Sequence, residues 1–547
     1  MLETVVQEAT GSRPAFSTGM LTATREITFD VRTDSATSRA WQRHGYIVPS
    51  FLAAWIICAW FVTWGDWKFF EKEDFCGYYD AEARSLIAGR FDVPPAAIGT
   101  ESFTFQGKTY GYFGIGPALL RLPLVLLFNN MDGRWSRLMM LVACTLNLLC
   151  AYRILRSVLG ETVADSRSQR VLHSLFILCA GIGSTNVFLV ARSFTFHEAI
   201  MWSGTFALLF TCTILRYFAR PSKTLLATAG FFAFMSLHSR ATVGVGPLLV
   251  MGAVTGILIY RAFGNTKGFE SAFGFVITAK ARPHALIAAA AVIITACSYF
   301  AVNYAKFHTF DGVPLKYYDF YVQNPSCLEM SGGRQLHLEN IPTTMVSYLG
   351  LHGLWLGPKF PWLFPSREAT FIGSPAILNV EGFSTFPVSM PALLVLAMLG
   401  CLPLVRGENE MVRRLRLPVS ALLLGASIVL ATLALTERYL HEFYPVLIIC
   451  AAVGISRLQK EKYFCAGTII VAALTLVSIA VNCSFGLENQ RLDAWSVGGV
   501  PEAKKTEFKK LQRSIYLFFH PALRQQSGRD QRSRLQARGR LRCSRDQ

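Results

Sequence analysis

Two carboxylates in one short stretch, Asp74 and Asp80, stand where a general base could work. They lie in "WKFFEKEDFCGYYDAEARSLIAGRFDVP", residues 67–94, which follows a run apolar enough to sit in a bilayer. A carboxylate at a membrane surface can take the proton of an acceptor hydroxyl if nearby cations keep it ionised. The cations at hand are Arg84, Lys108, Arg240 and Arg438. Arginine offers a planar fork and lysine a point charge, and both suit phosphate. One carboxylate among several Arg, Lys and His therefore fits transfer of a group from a phosphate-bearing lipid, with the phosphate as leaving group. A second set of polar residues accompanies the acidic stretch: His197 and Glu198, His238 and Arg240, and Glu437, Arg438, His441 and Glu442. Ionisable groups at membrane depth are costly unless paired or facing a wet cavity, so each is either an interfacial pair or part of a site.

The elements that position these residues are membrane spans. The chain has 547 residues, of which 52% are hydrophobic and only 16% charged. An all-α polytopic membrane protein is expected, because a helix needs about 20 apolar residues to cross the hydrocarbon core, and about eleven runs qualify. They lie near 47–64, 135–155, 171–191, 198–216, 224–239, 243–260, 284–303, 387–405, 417–435, 439–456 and 465–484. The division is a cytoplasmic segment 1–46, a transmembrane domain 47–484 with large outer loops 65–134 and 304–386, and a basic, disordered tail 485–547. Residues 1–45 lack the apolar stretch and cleavage site of a signal peptide, so the first span is expected to stay as an anchor.

Lysine and arginine crowd into alternate short loops, as the positive-inside rule requires of cytoplasmic ones. Such loops carry Arg153, Arg156, Arg167 and Arg170; Arg216, Arg220 and Lys223; Arg406, Arg413, Arg414 and Arg416; and Arg457, Lys460 and Lys462. Every polar span end named above then falls on the outer face, beside the acidic stretch. Residues 501–547, with 13 Lys and Arg against 4 acids, also fall outside, against the rule. This tail lacks aromatic interleaving and a folded motif, so attraction to lipid headgroups is expected and nucleic acid binding is not.

Within the first outer loop, a surface helix is expected from Gly77 to Gly89 and another from Pro117 to Phe128, with a short aromatic strand or hairpin between them. Residues 304–386 read as a folded cap with interfacial anchors, or as a lid whose Trp355 and Trp362 stack on sugar rings or isoprenoid. The thirteen cysteines form no metal-ligand pattern, though Cys76 and Cys327 could pair in an oxidising compartment. His197, Glu198, His441 and Glu442 leave a divalent metal open, while no cofactor is called for. A Gly-rich dinucleotide turn, a phosphate-binding loop and HExxH are all absent, which disfavours a cytoplasmic nucleotide-sugar enzyme.

Three stretches resemble the C-type (GT-C) integral membrane glycosyltransferases, which include protein mannosyltransferases and aminoarabinose transferases. The first is Asp74, Tyr78, Ala83, Leu86 and Gly89; the second is "GKTYGYFGIGPALLRLP", with Lys108 and Tyr110; the third is "TERYLHEFYP", with Glu437 and Arg438. Gly116-Pro117 stands where the family often has two prolines, and Asp80 offers a second carboxylate. The resemblance implies a hexosyl or pentosyl transferase with Asp74 as base and a polyprenyl-phosphate sugar as donor. It also implies a lipid, glycan or protein acceptor, and a bacterial plasma membrane as the location. The alternative is a transporter or flippase of a lipid-linked substrate, for which broken midplane helices and internal repeats would be expected. A non-catalytic scaffold is the third possibility.

Overall fold

The computed structural model describes residues 45–73, 75–160, 166–263, 273–275, 281–492 and 500–521. Nearly all of residues 1–46 and Asp74 itself lie outside the described residues. The chain is an all-α polytopic membrane protein. Among the described residues, eight helices are long and apolar enough to cross a membrane: Gly45–Val62, Ser136–Leu159, Thr195–Ala219, Ala241–Ala262, Ala281–Phe307, Glu410–Ala431, Glu437–Leu458 and Phe464–Leu492.

Three of the eleven expected runs are not among these eight, for local reasons. Lys223–Leu237 and Pro391–Arg406 are shorter apolar helices, and the run 171–191 is two helices, Arg167–Gly181 and Asn186–Ala191. Between them lies "IGST", where Ser184 Oγ donates to the Ala180 carbonyl and Asn186 Nδ2 takes that same oxygen at 2.7 Å. Side chains have replaced backbone partners there, which interrupts the helix without losing apolarity.

Small residues set the tightest helix pair. Helices Pro391–Arg406 and Tyr444–Leu458 approach so closely that a Cβ on Gly400 would sit 2.0 Å from the Cys450 carbonyl oxygen. A Cβ on Gly454 would sit 1.8 Å from that of Leu396. Such backbone contact drives helix association where lipid offers no hydrophobic force.

The two large loops gather at one end of this bundle. In the first, the expected surface helices are Tyr78–Ile87 and Gly116–Leu127, and the hairpin between them pairs Phe103–Phe105 with Lys108–Tyr110. In the second, short helices Asp319–Gln323, Pro325–Met330 and Asn340–Leu349 precede a hairpin, Leu354–Leu356 with Leu363–Pro365. Asn379–Val380 then pairs in parallel with Ala434–Leu435.

The expected disordered tail needs correction where it is described. Glu488–Leu492 forms a wide helical turn whose Gln490 side chain donates to the Phe61 and Ala191 carbonyls. Helix Glu502–Phe519 docks on outer-loop residues: Lys504 Nζ reaches Asp66 at 2.6 Å, and Gln512 Nε2 donates to the Phe360 carbonyl at 2.6 Å. Neither Cys76 nor Cys327 is in a disulfide among the described residues, and the Cys76 thiol donates to the Ser193 carbonyl.

Candidate functional site

Ion pairs tie the first outer loop to the span ends. Asp80 sits in the first turn of helix Tyr78–Ile87, where the helix dipole favours a carboxylate. Its Oδ2 accepts from the Gly133 amide at 2.5 Å and its Oδ1 lies 2.9 Å from Arg121 Nε. The same guanidinium donates through Nη2 to Glu198 Oε1 at 2.6 Å. All three side chains are at most 1% exposed. Asp80 thus sits in a closed triad, lining none of the three main cavities.

Glu82 is equally enclosed. It accepts from the Tyr78 hydroxyl at 2.8 Å and from Lys306 Nζ at 2.7 Å, and Lys306 also donates to the Gly111 and Phe113 carbonyls. Glu73, in the same acidic stretch, is buried as well. It holds Arg137 Nε at 2.5 Å and accepts from Trp64 Nε1. Burial pushes the carboxyls of Glu73, Asp80 and Glu82 above their usual range, against the pull of Arg137, Arg121 and Lys306 respectively.

The glycine and aromatic stretch after the hairpin has a physical use. The Gly116 amide donates to the His238 carbonyl at 2.5 Å, and a Cβ on Gly114 would fall 2.1 Å from that oxygen. The second surface helix is thereby fastened to the turn that carries Arg240.

Three cavities open among these groups. The first, of about 510 Å³, is lined by His197, Glu101, Glu381, Arg438, Trp355 and Phe364, among others. Arg438 is gripped by Glu381 through both terminal nitrogens, Nη2 at 2.9 Å from Oε1, and Thr436 Oγ1 donates to the same carboxylate. Its fork is therefore occupied. Burial raises the Glu101 carboxyl, opposed by the Arg438 charge.

The second cavity, of about 520 Å³, is lined by His238, Arg240, Arg334, Asp311 and Tyr439, and by Val245, Val302 and Ile428 from the spans. Arg240 uses Nε to hold the buried Glu442 at 2.5 Å and lies 5.3 Å from the centroid of the Tyr439 ring. Its two terminal nitrogens make no hydrogen bond among the described residues. Arg438, which lines the first cavity, lies over that same ring at 5.6 Å, so the Tyr439 ring stands between Arg438 and Arg240.

The third cavity, of about 530 Å³, is lined by Lys72, Glu73, Phe75, Arg84 and Asp132. Arg84, expected at the phosphate, forks onto Asp132 at this exposed rim. Glu73 and Phe75, the neighbours of Asp74, border the cavity. They also run along Ser193–Thr195, whose amides donate to Glu73 and to the Phe75 carbonyl. The Phe75 ring packs on Phe194, which lines the first cavity, and lies against Gly99, two residues from Glu101.

The expected substrate residues are thus divided. His197, His238, Arg240, Arg438 and Arg84 reach cavities, whereas Glu198, Glu437, His441, Lys108 and Tyr110 do not. Glu437 accepts from the Ser384 amide at 2.6 Å, and His441 Nδ1 shares a hydrogen bond with Thr185. Lys108 is exposed on the hairpin, and Tyr110 packs on Phe307. His197 Nδ1 meets the Arg192 carbonyl while His441 turns to Thr185. Among the described residues, no group of three or more His, Cys, Asp or Glu converges as a metal site. Sequence reasoning missed Glu101, Glu381, Lys306 and Arg121. A lone arginine inside the apolar run "PALLRLPLVLLF" was the one available signal for Arg121.

No family model and no curated protein matches the chain. Among solved structures, it is similar to the apo oligosaccharyltransferase of Archaeoglobus fulgidus, at 15% identity and a TM-score of 0.45, over 85% of this chain and 57% of that one. Two further structures of that enzyme are also similar. One is tethered to an acceptor peptide (14% identity, TM-score 0.43, 82% of this chain and 56% of that one). The other is in complex with an inhibitory peptide and a dolichol-phosphate (15% identity, TM-score 0.42, 84% and 57%). The chain spans a little over half the length of these structures.

Proposed function

We propose that this protein is a membrane glycosyltransferase that moves a sugar from a polyprenyl-phosphate donor to an acceptor hydroxyl, with Asp74 as general base. The observation that carries the reading is the second cavity. Arg240 offers an unfilled guanidinium edge at its head, and Val245, Val302 and Ile428 of three spans line it. A phosphate on an apolar chain needs that combination: a fork of N–H donors beside a surface continuous with the hydrocarbon. Glu442 keeps the guanidinium oriented through Nε and leaves the outer edge for the ligand.

In the step itself, the acceptor oxygen attacks the anomeric carbon as its proton passes to Asp74. The bond from that carbon to the phosphate oxygen breaks, and the electron pair leaves with polyprenyl phosphate. Arg240 stabilises the charge growing on the phosphate, which makes its contribution larger in the transition state than in the ground state. One backside displacement inverts the anomeric centre. We put the reaction on the face opposite the arginine-rich loops, in a bacterial plasma membrane.

The test is turnover of radiolabelled polyprenyl-phosphate hexoses and pentoses by the purified protein in nanodiscs. Asp74→Asn should lower turnover by about 10²- to 10⁴-fold, the usual contribution of a general base. Arg240→Ala should lower it by about tenfold or more, the worth of one charged hydrogen bond. No turnover of any donor by the wild type, or equal turnover by Asp74→Asn, would sink the proposal.

A further inference from the structure

We propose that the first cavity is a binding site for a neutral carbohydrate, and, resting on the glycosyl-transfer reading, that this carbohydrate is the acceptor. The cavity differs from its neighbour in charge. Among its described lining residues, four carboxylates (Glu101, Glu368, Glu381 and Glu488) face two guanidiniums (Arg367 and Arg438). The second cavity has two guanidiniums, Arg240 and Arg334, to the single carboxylate of Asp311. An excess of carboxylate repels a second phosphate or an acidic ligand. It also supplies acceptors for uncharged hydroxyl donors, each carboxylate having two oxygens to offer.

The wall of the cavity supplies the other half of sugar recognition. Trp355 and Phe364 face each other across the hairpin Leu354–Leu356 and Leu363–Pro365, with ring centroids 4.6 Å apart and planes 21° apart. Phe364 thus backs the indole on one side, and Trp355 is still 52% exposed. A rigid aromatic face of this kind takes the C–H face of a pyranose, while polar groups around it read the hydroxyls. His352 also lines the space, and its Nε2 has no hydrogen-bond partner among the described residues. A volume of about 510 Å³ admits a ring or two rather than a folded partner. The Tyr439 ring, with Arg438 of this cavity and Arg240 of the phosphate cavity both against it, puts the two cavities side by side, as an acceptor beside a donor requires.

The test is capture by a glycan array printed with neutral oligosaccharides and with their carboxylated and phosphorylated counterparts, using the full chain in nanodiscs and no donor. Neutral glycans should be captured in preference to their anionic counterparts. Trp355→Ala should weaken capture by about tenfold, as expected for loss of an aromatic contact. Trp355→Phe, which keeps a ring, should bind within about threefold of wild type. Tyr463→Ala, which removes an exposed aromatic outside all three cavities, should leave capture unchanged. Capture of no neutral glycan, a preference for the anionic ones, or undiminished capture by Trp355→Ala would each overturn the proposal. Because no donor is present, capture can succeed where donor turnover fails, and the reverse, so the two readings fall separately.

Discussion

Arg121 decides what Asp80 is for. One guanidinium stands between two carboxylates in a place without solvent, so the triad carries one excess negative charge. Arg121→Met removes its cation and strands both Asp80 and Glu198. Breaking a buried pair by deleting one partner costs about 3–5 kcal/mol, and two stranded acids put this case at the upper end. Asp80→Asn keeps the shape and the Gly133 contact while removing the excess charge. The lost charged contact, about 1.5–3 kcal/mol, is then partly offset, and a net cost below about 2 kcal/mol follows. Burial raises the Asp80 carboxyl, so its contribution to stability is present below the ordinary carboxylate pKa and is lost as pH rises through the raised value. Asp80→Asn should flatten that part of the stability profile. The assay is unfolding of each variant in nanodiscs across pH 4–8, beside donor turnover. Turnover by Asp80→Asn should stay within about tenfold of wild type, because the residue touches no cavity. An Asp80→Asn protein that folds like wild type yet loses turnover entirely would make Asp80 the base and refute the reasoning.

Two further outcomes can be checked. Gly454→Ala should destabilise the bundle by several kcal/mol or prevent its insertion, since the new Cβ would meet the Leu396 carbonyl at 1.8 Å; a protein with unchanged thermal stability would contradict this packing. The Lys504 hydrogen bond holds the Asp66 carboxyl below its usual range, so docking of helix Glu502–Phe519 gains support above the ordinary carboxylate pKa and loses it as pH falls through the lowered value. Protection of that helix against hydrogen exchange, taken relative to the intrinsic rate at each pH, should be steady from pH 5 to 8 and weaker in stronger acid, with Asp66→Asn less protected than wild type from pH 5 to 8. The pair is exposed, so the change in protection should be about fivefold or less.

The sequence disclosed the site's location better than its wiring. Charges at span ends were legible because ionisable groups are costly in hydrocarbon, and one of them, Glu198, is tied through Arg121 to Asp80 of the acidic stretch. Which acids would be buried was not legible. Glu73 looks like its neighbour Glu71 in the sequence, yet it lies under Arg137 while Glu71 remains 44% exposed. Arg137, 64 residues away, holds Glu73 at 2.5 Å but reaches Glu71 only at 3.7 Å. The broken span at 182–185 escaped because hydropathy counts apolar atoms and is blind to a side chain that takes a backbone hydrogen bond. Helix Glu502–Phe519 escaped because its basic face reads as solvated, whereas Phe508 packs on Phe360 and Phe519 on Trp362. Trp362, expected to stack on substrate, is occupied there instead.

Pairing, more than charge, separates the groups that build this end of the molecule from those that can bind. Lys306 has three N–H donors and gives them to Glu82 and two carbonyls, so none remains for a ligand. Arg438 gives both ends of its fork to Glu381. Asp80 is filled by a backbone amide and Arg121. Groups satisfied in this way fix the loops against the spans, and moving them would leave buried charge uncompensated. Arg240 is different: one nitrogen is fixed by a fully buried Glu442, and the other two, beside the second cavity, make no hydrogen bond among the described residues. A guanidinium held rigidly at one edge and open at the other loses little entropy on meeting an anion, which is the condition for strong phosphate binding at a membrane surface.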